Sequence, residues 1–287
     1  MTTKARSPRL RARTALALDI LNHGALILVA LLFLFPFFWM VSNAVRSNAE
    51  VLAIPVRILP NEFQWDNFTK AWSQLPFGRF FLNSMIVAGS VTVITVVVSC
   101  LAGYAFARLK FPGRDTLLLG YVGTLMVPSI MLIIPLFLIV NGLGMVNTFQ
   151  GVILPVAFGT FGAFLLRQFF LSIPNSLEEA ALIAGASRLR ILISIIGPLS
   201  MPAIGLLSLF TFIAQWNNFL WPLIVMTGQE NATLPVGLTH FQTQQGTQWN
   251  YIMAGAALSM LPGIVLAILL QKLIYNSIAL NAGMGGR

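Results

Sequence analysis

Four charged side chains cluster between Pro174 and Pro202, in the stretch PNSLEEAALIAGASRLRILISIIGPLSMP: Glu178, Glu179, Arg188 and Arg190. The apolar runs on either side are too long for a soluble core. Carboxylates and guanidinium groups at these spacings cap helix ends and pair with opposite charges. Pro174 and Asn175 break the preceding apolar run. Ser176 can accept from the backbone N–H of Glu179 while Glu179 reaches back to Ser176, a capping box that predicts a helix starting at Ser176. Glu178 and Glu179 then lie in the first turn, at the positive end of the helix dipole. Leu177, Ala181 and Ala184 recur at helical spacing and predict a narrow small-residue face that another surface can approach closely. Gly185 offers the positive φ that ends a helix, and Arg188 and Arg190 open a second segment with Ile191 and Ile195 one turn apart. The expectation is a helix, a bend and a second helix.

Catalytic chemistry finds no support elsewhere in the chain. The lysines are Lys4, Lys70, Lys110 and Lys272, and none follows the glycine pattern of a phosphate-binding loop. His23 and His240 stand alone, with no cysteine or carboxylate at metal-ligand spacing, and no G-x-S-x-G motif occurs. The single cysteine, Cys100, lies within an apolar run, where it reads as a small packing residue without a disulfide partner in the chain. An intramembrane enzyme would need Asp, His or a Ser-Lys pair within the spans, and none lies well inside one.

Composition sets the class of molecule that positions these residues. Of 287 residues 57% are hydrophobic and only 9% charged, against about 25% charged in a typical soluble domain. The chain therefore reads as a polytopic, all-α membrane protein. Its formal charge of +9 is dispersed among apolar runs without interleaved aromatics, which argues against nucleic acid. Six runs are long enough to cross a bilayer: about Gly24 to Val45, Met85 to Ala107, Leu117 to Val140, Val146 to Leu166, Met201 to Met226 and Ile252 to Ile274. The first exceeds a signal-peptide core and is read as a retained span behind a basic tail, residues 1–23. With that tail inside, 13 of the 17 Lys and Arg fall on inner segments, and only Arg46, Arg57, Lys70 and Arg79 on outer ones. Both termini, including the tail 275–287, and the polar stretch 174–202 are then expected in the cytoplasm.

The outer segments also carry signals. Arg46 to Phe81 is too long for a tight turn and predicts short interfacial helices anchored by Trp65, Trp72 and Phe77. Thr227 to Tyr251 lacks Lys and Arg and is rich in hydrogen-bonding side chains. Within the fifth run, Gln215, Trp216, Asn217 and Asn218 suit either a solute path, with amides beside an aromatic face, or hydrogen bonds between helices. Pro128, Pro135, Pro155, Pro222 and Pro262 are each expected to kink their helix. Gly255, Ser259 and Gly263 mark a face of the sixth run that favours close helix contact.

Glu179-Ala180-Ala181, three residues, Gly185, nine residues, then Ile195 and Pro198 resembles the EAA loop of bacterial ABC importer permeases, E-A-A-x3-G-x9-I-x-L-P. Gly197 departs from it, standing where the family has leucine. The resemblance extends through Asn83-Ser84, Trp216-Asn217-Asn218 and Gln271-Lys272, and is closest to the maltose-type carbohydrate permeases. It implies a six-helix transmembrane domain over residues 24–274 of a bacterial inner membrane protein, paired in membrane lipid with a second permease subunit and two copies of an ABC ATPase. ATP and magnesium would be used by that ATPase, with no cofactor held by this chain. Ser176, Glu179, Ala180, Ala181, Ala184, Gly185, Ile195 and Pro198 would couple to it. An extracytoplasmic solute-binding protein would dock near Gln242, Gln244, Gln245 and Trp249 and deliver a sugar or oligosaccharide. Glycerol 3-phosphate or a glycerophosphodiester is the alternative cargo, disfavoured by the lack of Lys or Arg deep in any span. A secondary transporter would usually show intramembrane carboxylates and an internal repeat, and neither is evident.

Overall fold

The computed structural model describes residues 8–243 and 246–284, with side chains for 18–242 and 246–271. Gln244, Gln245, the side chain of Lys272 and the last three residues lie outside that description. In chain order the helices are α1 (Pro8–Ala44), α2 (Asn48–Val51), α3 (Asp66–Gln74), α4 (Phe77–Arg108), α5 (Arg114–Gly123), α6 (Ile133–Gly142), α7 (Phe149–Ala157), α8 (Thr160–Ser172), α9 (Asn175–Ile183), α10 (Arg188–Ile191), α11 (Gly197–Leu199), α12 (Met201–Trp216), α13 (Leu220–Val225), α14 (Leu234–Leu238) and α15 (Trp249–Met284). One two-residue hairpin, β1 (Gln242–Thr243) with β2 (Gly246–Thr247), interrupts this all-α architecture.

Among the described residues, three helical stretches are continuous, apolar and long enough to cross a membrane: Leu18–Ala44, Phe77–Arg108 and Trp249–Gln271. Three further pairs qualify only as bent units, which makes six crossings the upper count by length and composition. The expected third run is α5 and α6, bent by 92° at Pro128, which lacks an N–H and ends the preceding turn. The expected fourth is α7 and α8, bent by 42° just beyond Pro155. The expected fifth is broken at Asn217–Phe219, and Arg188–Leu199 meets α12 at 81°. Not every proline kinks its helix, contrary to expectation. Pro135 and Pro222 lie in the first turns of α6 and α13, where the missing N–H would have no partner anyway, and α15 runs on through Pro262.

The chain divides into two compact units. The first comprises residues up to Ala71 together with Phe241–Leu258. Its centre is Arg46, 1% exposed, whose Nη2 donates to Ser42 Oγ (2.9 Å) and to the Ile58 carbonyl (2.7 Å), with the guanidinium 5.3 Å from the Trp39 ring. Asn67 donates to the carbonyls of Ala44 and Arg46. Together these tie the predicted outer segment to the end of α1. Asp66 opens α3 and pairs with Lys70 at 2.5 Å; that hydrogen bond lowers the Asp66 carboxyl pKa and raises that of Lys70. Both side chains are exposed, so the pair adds little stability.

The second unit, Trp72–His240 with the chain from Ser259 onward, holds the polar stretch. Its axis is α4, which packs most extensively on α8 and α12. One apolar cluster gathers Val87, Val91, Val140, Val152, Trp221 and Val225; a second gathers Tyr104, Leu166, Phe170, Ile191, Ile196 and Leu207. Cys100 borders the second cluster, as a packing residue would. Close approach depends on missing side chains: a Cβ on Gly103 would lie 3.1 Å from the Ala163 carbonyl oxygen. Asn83 donates to the carbonyls of Glu230 and Ala232, and Ser84 Oγ accepts from Leu234 N–H at 2.7 Å, pinning the loop before α14 to α4. Phe77 is a correction: expected as an interfacial anchor, it is 1% exposed, while Trp72 packs on it with ring centroids 5.0 Å apart. Trp65 does stay exposed.

Candidate functional site

The stretch after Pro174 folds as helix, bend and helix, but it starts differently from the expectation. α9 begins at Asn175, with Pro174 in an extended conformation as its N-cap and no side-chain cap. Ser176 is therefore inside the first turn and the Ser176–Glu179 capping box does not form. The cause lies at Glu178, which sequence reading had assigned only to the helix dipole. It is 5% exposed. Its Oε1 accepts from the Tyr104 hydroxyl at 2.8 Å and from Arg188 Nη1, and its Oε2 lies 3.5 Å from Arg108 Nε. Two guanidinium groups outweigh a backbone cap.

This rotates the helix relative to the predicted face. Glu178, Ala181 and Leu182 point inward, the last two against the apolar cluster of Tyr104 and Ile191. Leu177, Glu179, Ala180, Ile183 and Ala184 are exposed, Ile183 by 89%. The predicted bend is present: Gly185 has φ +82°, its N–H donates to the Leu182 carbonyl at 2.9 Å, and the Ala186 N–H donates to the Ala181 carbonyl at 3.0 Å. Those two bonds define a Schellman motif, which needs a left-handed residue between them. Ser187 Oγ then caps α10 by accepting from Arg190 N–H.

Beyond α10 the residues Leu192–Ile196 form a π turn. Pro198 supplies the reason: it has no N–H for the Ser194 carbonyl and its ring would crowd that group, so the ladder widens, and Gly197 N–H bonds Leu192. A Cβ on Gly197 would stand 2.9 Å from the Leu192 carbonyl oxygen. The glycine at this divergent position fits the widened turn. Gly197→Leu is accordingly expected to lower stability by about 1–3 kcal/mol, read as an earlier thermal unfolding transition in detergent. Ile195 is half-buried within the π turn and Pro198 is exposed in α11.

Arg108 completes the site. Its side chain is 5% exposed, and its Nη2 donates at 2.6 Å to the carbonyls of both Phe170 and Ile173, closing the C-terminal end of α8. One carboxylate and two cations thus join α4, α8, α9 and α10. A cleft of about 310 Å³ opens beside them, lined by Lys110, Arg114, Asn175, Glu179 and Leu182 among others. Tyr104 and Arg108 stand one turn apart at the end of α4, the one sequence signal that could have announced a buried anion.

A family model described as binding-protein-dependent transport system inner membrane component matches residues 95–279. The chain belongs to that family. Curated relatives include the trehalose/maltose transport system permease protein MalG of Thermococcus litoralis, 36% identical over 264 residues that cover 90% of this chain and 94% of the relative. The sn-glycerol-3-phosphate transport system permease protein UgpE of Yersinia enterocolitica is 33% identical, over 89% of this chain and 94% of that one. Among solved structures, a bacterial ABC transporter involved in the import of the acidic polysaccharide alginate contains a chain of similar fold, with TM-score 0.78 at 24% identity, covering 95% of this chain and 99% of that one.

In this inner membrane component the four residues of the fifth run occupy different surroundings. Gln215 alone lines a cleft of about 260 Å³, with Thr95, Thr211, Phe161 and Phe210 among its neighbours. Trp216 is 4% exposed, stacks on Phe212, and donates from Nε1 to the Ser259 carbonyl at 2.8 Å, joining α12 to α15. Asn217 and Asn218 terminate α12: Asn217 Nδ2 donates to the Ile213 carbonyl and Asn218 Nδ2 to Gln215 Oε1. Of the residues expected at a docking loop, Gln242 is exposed in β1, and Trp249 opens α15 with its N–H bonded to Asn48 Oδ1.

Proposed function

We infer that this chain is a permease subunit of an ATP-driven, binding-protein-dependent importer, carrying a sugar or oligosaccharide across the inner membrane and driven through the segment from Ser176 to Pro198. The observation that carries the reading is the exposed E-A-A-x3-G helix with its Schellman bend, in a chain of the binding-protein-dependent transport family. Counting each bent pair as one crossing gives six, and the excess of inner Lys and Arg supports a cytoplasmic location for both termini and α9, where two ATPase copies would use ATP and magnesium. A second permease would complete the pathway. Glu179, exposed on α9, would meet a basic residue of the ATPase, and Gln242 to Trp249 would face the solute-binding protein.

Cargo follows from the relatives and from the cleft. The relatives' names give trehalose/maltose and sn-glycerol 3-phosphate. The cleft at Gln215 offers hydroxyls, an amide and aromatic rings with no charged side chain, which suits a neutral polyhydroxylated solute. Glycerol 3-phosphate remains the second reading because its permeases are 33% identical to this chain. Purification of the tagged chain from its native membrane should bring down an ATPase and a related permease, with a cysteine at the exposed position Ile183 crosslinking to the ATPase. The ligand of the cognate binding protein then decides between sugar and phosphate ester. Isolation of the chain alone, without any crosslink, would count decisively against the importer reading.

A further inference from the structure

A carboxylate at an exposed docking helix would ordinarily face water or a partner. Glu178 does neither. Its Oε1 takes the Tyr104 hydroxyl and Arg188 from two different helices, its Oε2 faces Arg108, and Arg108 also holds the last carbonyls of α8. Tyr104 and Arg108 belong to α4, the helix on which α8 and α12 pack most heavily. The neighbouring Glu179 is exposed and free to meet a partner, so the two adjacent acids have opposite orientations.

We propose that Glu178 is the positioning residue that locks the α9–α10 elbow to the end of α4, so that the elbow and α4 move as one rigid body when the ATPase closes. This rests on the importer reading above. The physical requirement is directional: apolar burial is non-directional and does not by itself fix one register between the elbow and the bundle, whereas oriented polar bonds do. A buried carboxylate that accepts from Tyr104 and Arg188 on two different helices and lies 3.5 Å from Arg108 Nε cannot slide without losing charge-assisted bonds and ion-pair contact. Arg188, half-exposed, hydrogen-bonds the carboxylate directly, while Arg108, almost wholly buried, adds an ion-pair contact from the end of α4. The outward face of α9 stays available for docking while its inward face transmits.

The test uses the whole reconstituted complex with its binding protein. Spin labels at the exposed positions Ile183 in α9 and Leu101 in α4 should report one narrow distance that is the same in the ATP-free and ATP-trapped states. Glu178→Gln, which keeps the shape and removes the charge, should broaden that distance and cut solute moved per ATP hydrolysed by about tenfold, with ATP hydrolysis itself largely retained. Tyr104→Phe removes a single hydroxyl, leaves the fold intact and should shift both readouts in the same direction by a smaller factor. A wild-type distance that changes between the two states would overturn the proposal. So would variants whose uptake and hydrolysis fall in equal proportion, which is what a merely structural role produces. A wild-type chain that neither recruits an ATPase nor transports would bring down the importer reading itself, and this proposal with it.

Discussion

Gly162→Leu is expected to prevent the second unit from assembling. A Cβ at this position would lie 2.3 Å from Ser99 Oγ and 3.1 Å from both terminal carbons of Leu207. It would therefore press at once on α4 and α12, two of the helices against which α8 is packed. No rotamer of a larger side chain relieves a clash that begins at Cβ. Overpacking of this kind costs about 1–3 kcal/mol for a single added methyl and more for a branched chain, in a bundle whose helices associate chiefly through close van der Waals contact. Expression with a fluorescent tag followed by size-exclusion chromatography should show loss of the monodisperse species. Gly162→Ala gives the finer measurement. Because the nearest atom is the Ser99 hydroxyl, combining it with Ser99→Ala should recover a substantial part of the lost thermal stability. Purely additive effects of the two changes would mean that the helices sit farther apart than described.

The contrast between what was and was not legible in the sequence follows from what each feature depends on. Membrane class and the all-α architecture were legible, because crossing hydrocarbon imposes length and composition on each segment separately. The bend at Gly185 was legible as well, since a left-handed position between two helical patterns is a local demand on backbone geometry. The interruptions at Pro128 and at Asn217–Phe219 were hidden within runs of uniform hydropathy. Hydropathy averages over a window and does not register where the helical ladder stops.

Glu178 was misread for a deeper reason. Local chemistry favours a capping box between Ser176 and Glu179, and only partners distant in sequence, Tyr104 and Arg108, together with Arg188, make it better to turn the preceding acid inward. A charge on a predicted helix looks solvent-facing until its counter-ions are known. For Trp216, Asn217 and Asn218 the residue types fitted either a solute path or hydrogen bonds between helices; the tryptophan donates to Ser259 of another helix, and the two asparagines close the end of α12. Gln215 lies beside an uncharged cleft.

Substitution at Gly185 should lower uptake in a graded way without unfolding the chain, and the order of the variants identifies the cause. A Cβ there would meet no atom within 4 Å, so no internal clash exists. The constraint is the backbone, at φ +82°. An ordinary L-residue in the left-handed region costs about 1–2 kcal/mol, and asparagine or aspartate tolerates it better than alanine; a β-branched residue is worst placed. Relief of that strain would unwind the Schellman bonds from Gly185 and Ala186 and re-aim α10 relative to α9. Binding-protein-stimulated ATP hydrolysis and solute uptake in proteoliposomes should therefore decline in the order Asn and Asp, then Ala, then Val, with Val inactive and every variant still monodisperse. If Ala were fully active and Asp inactive, the conformational argument would fail, and the effect would belong to the surface that meets the ATPase. The valine variant should also retain the thermal stability of the second unit to within about 1–2 kcal/mol, because the strain it introduces is released at an exposed bend. A bend that costs so little to the fold yet so much to transport is a part whose geometry serves the partner.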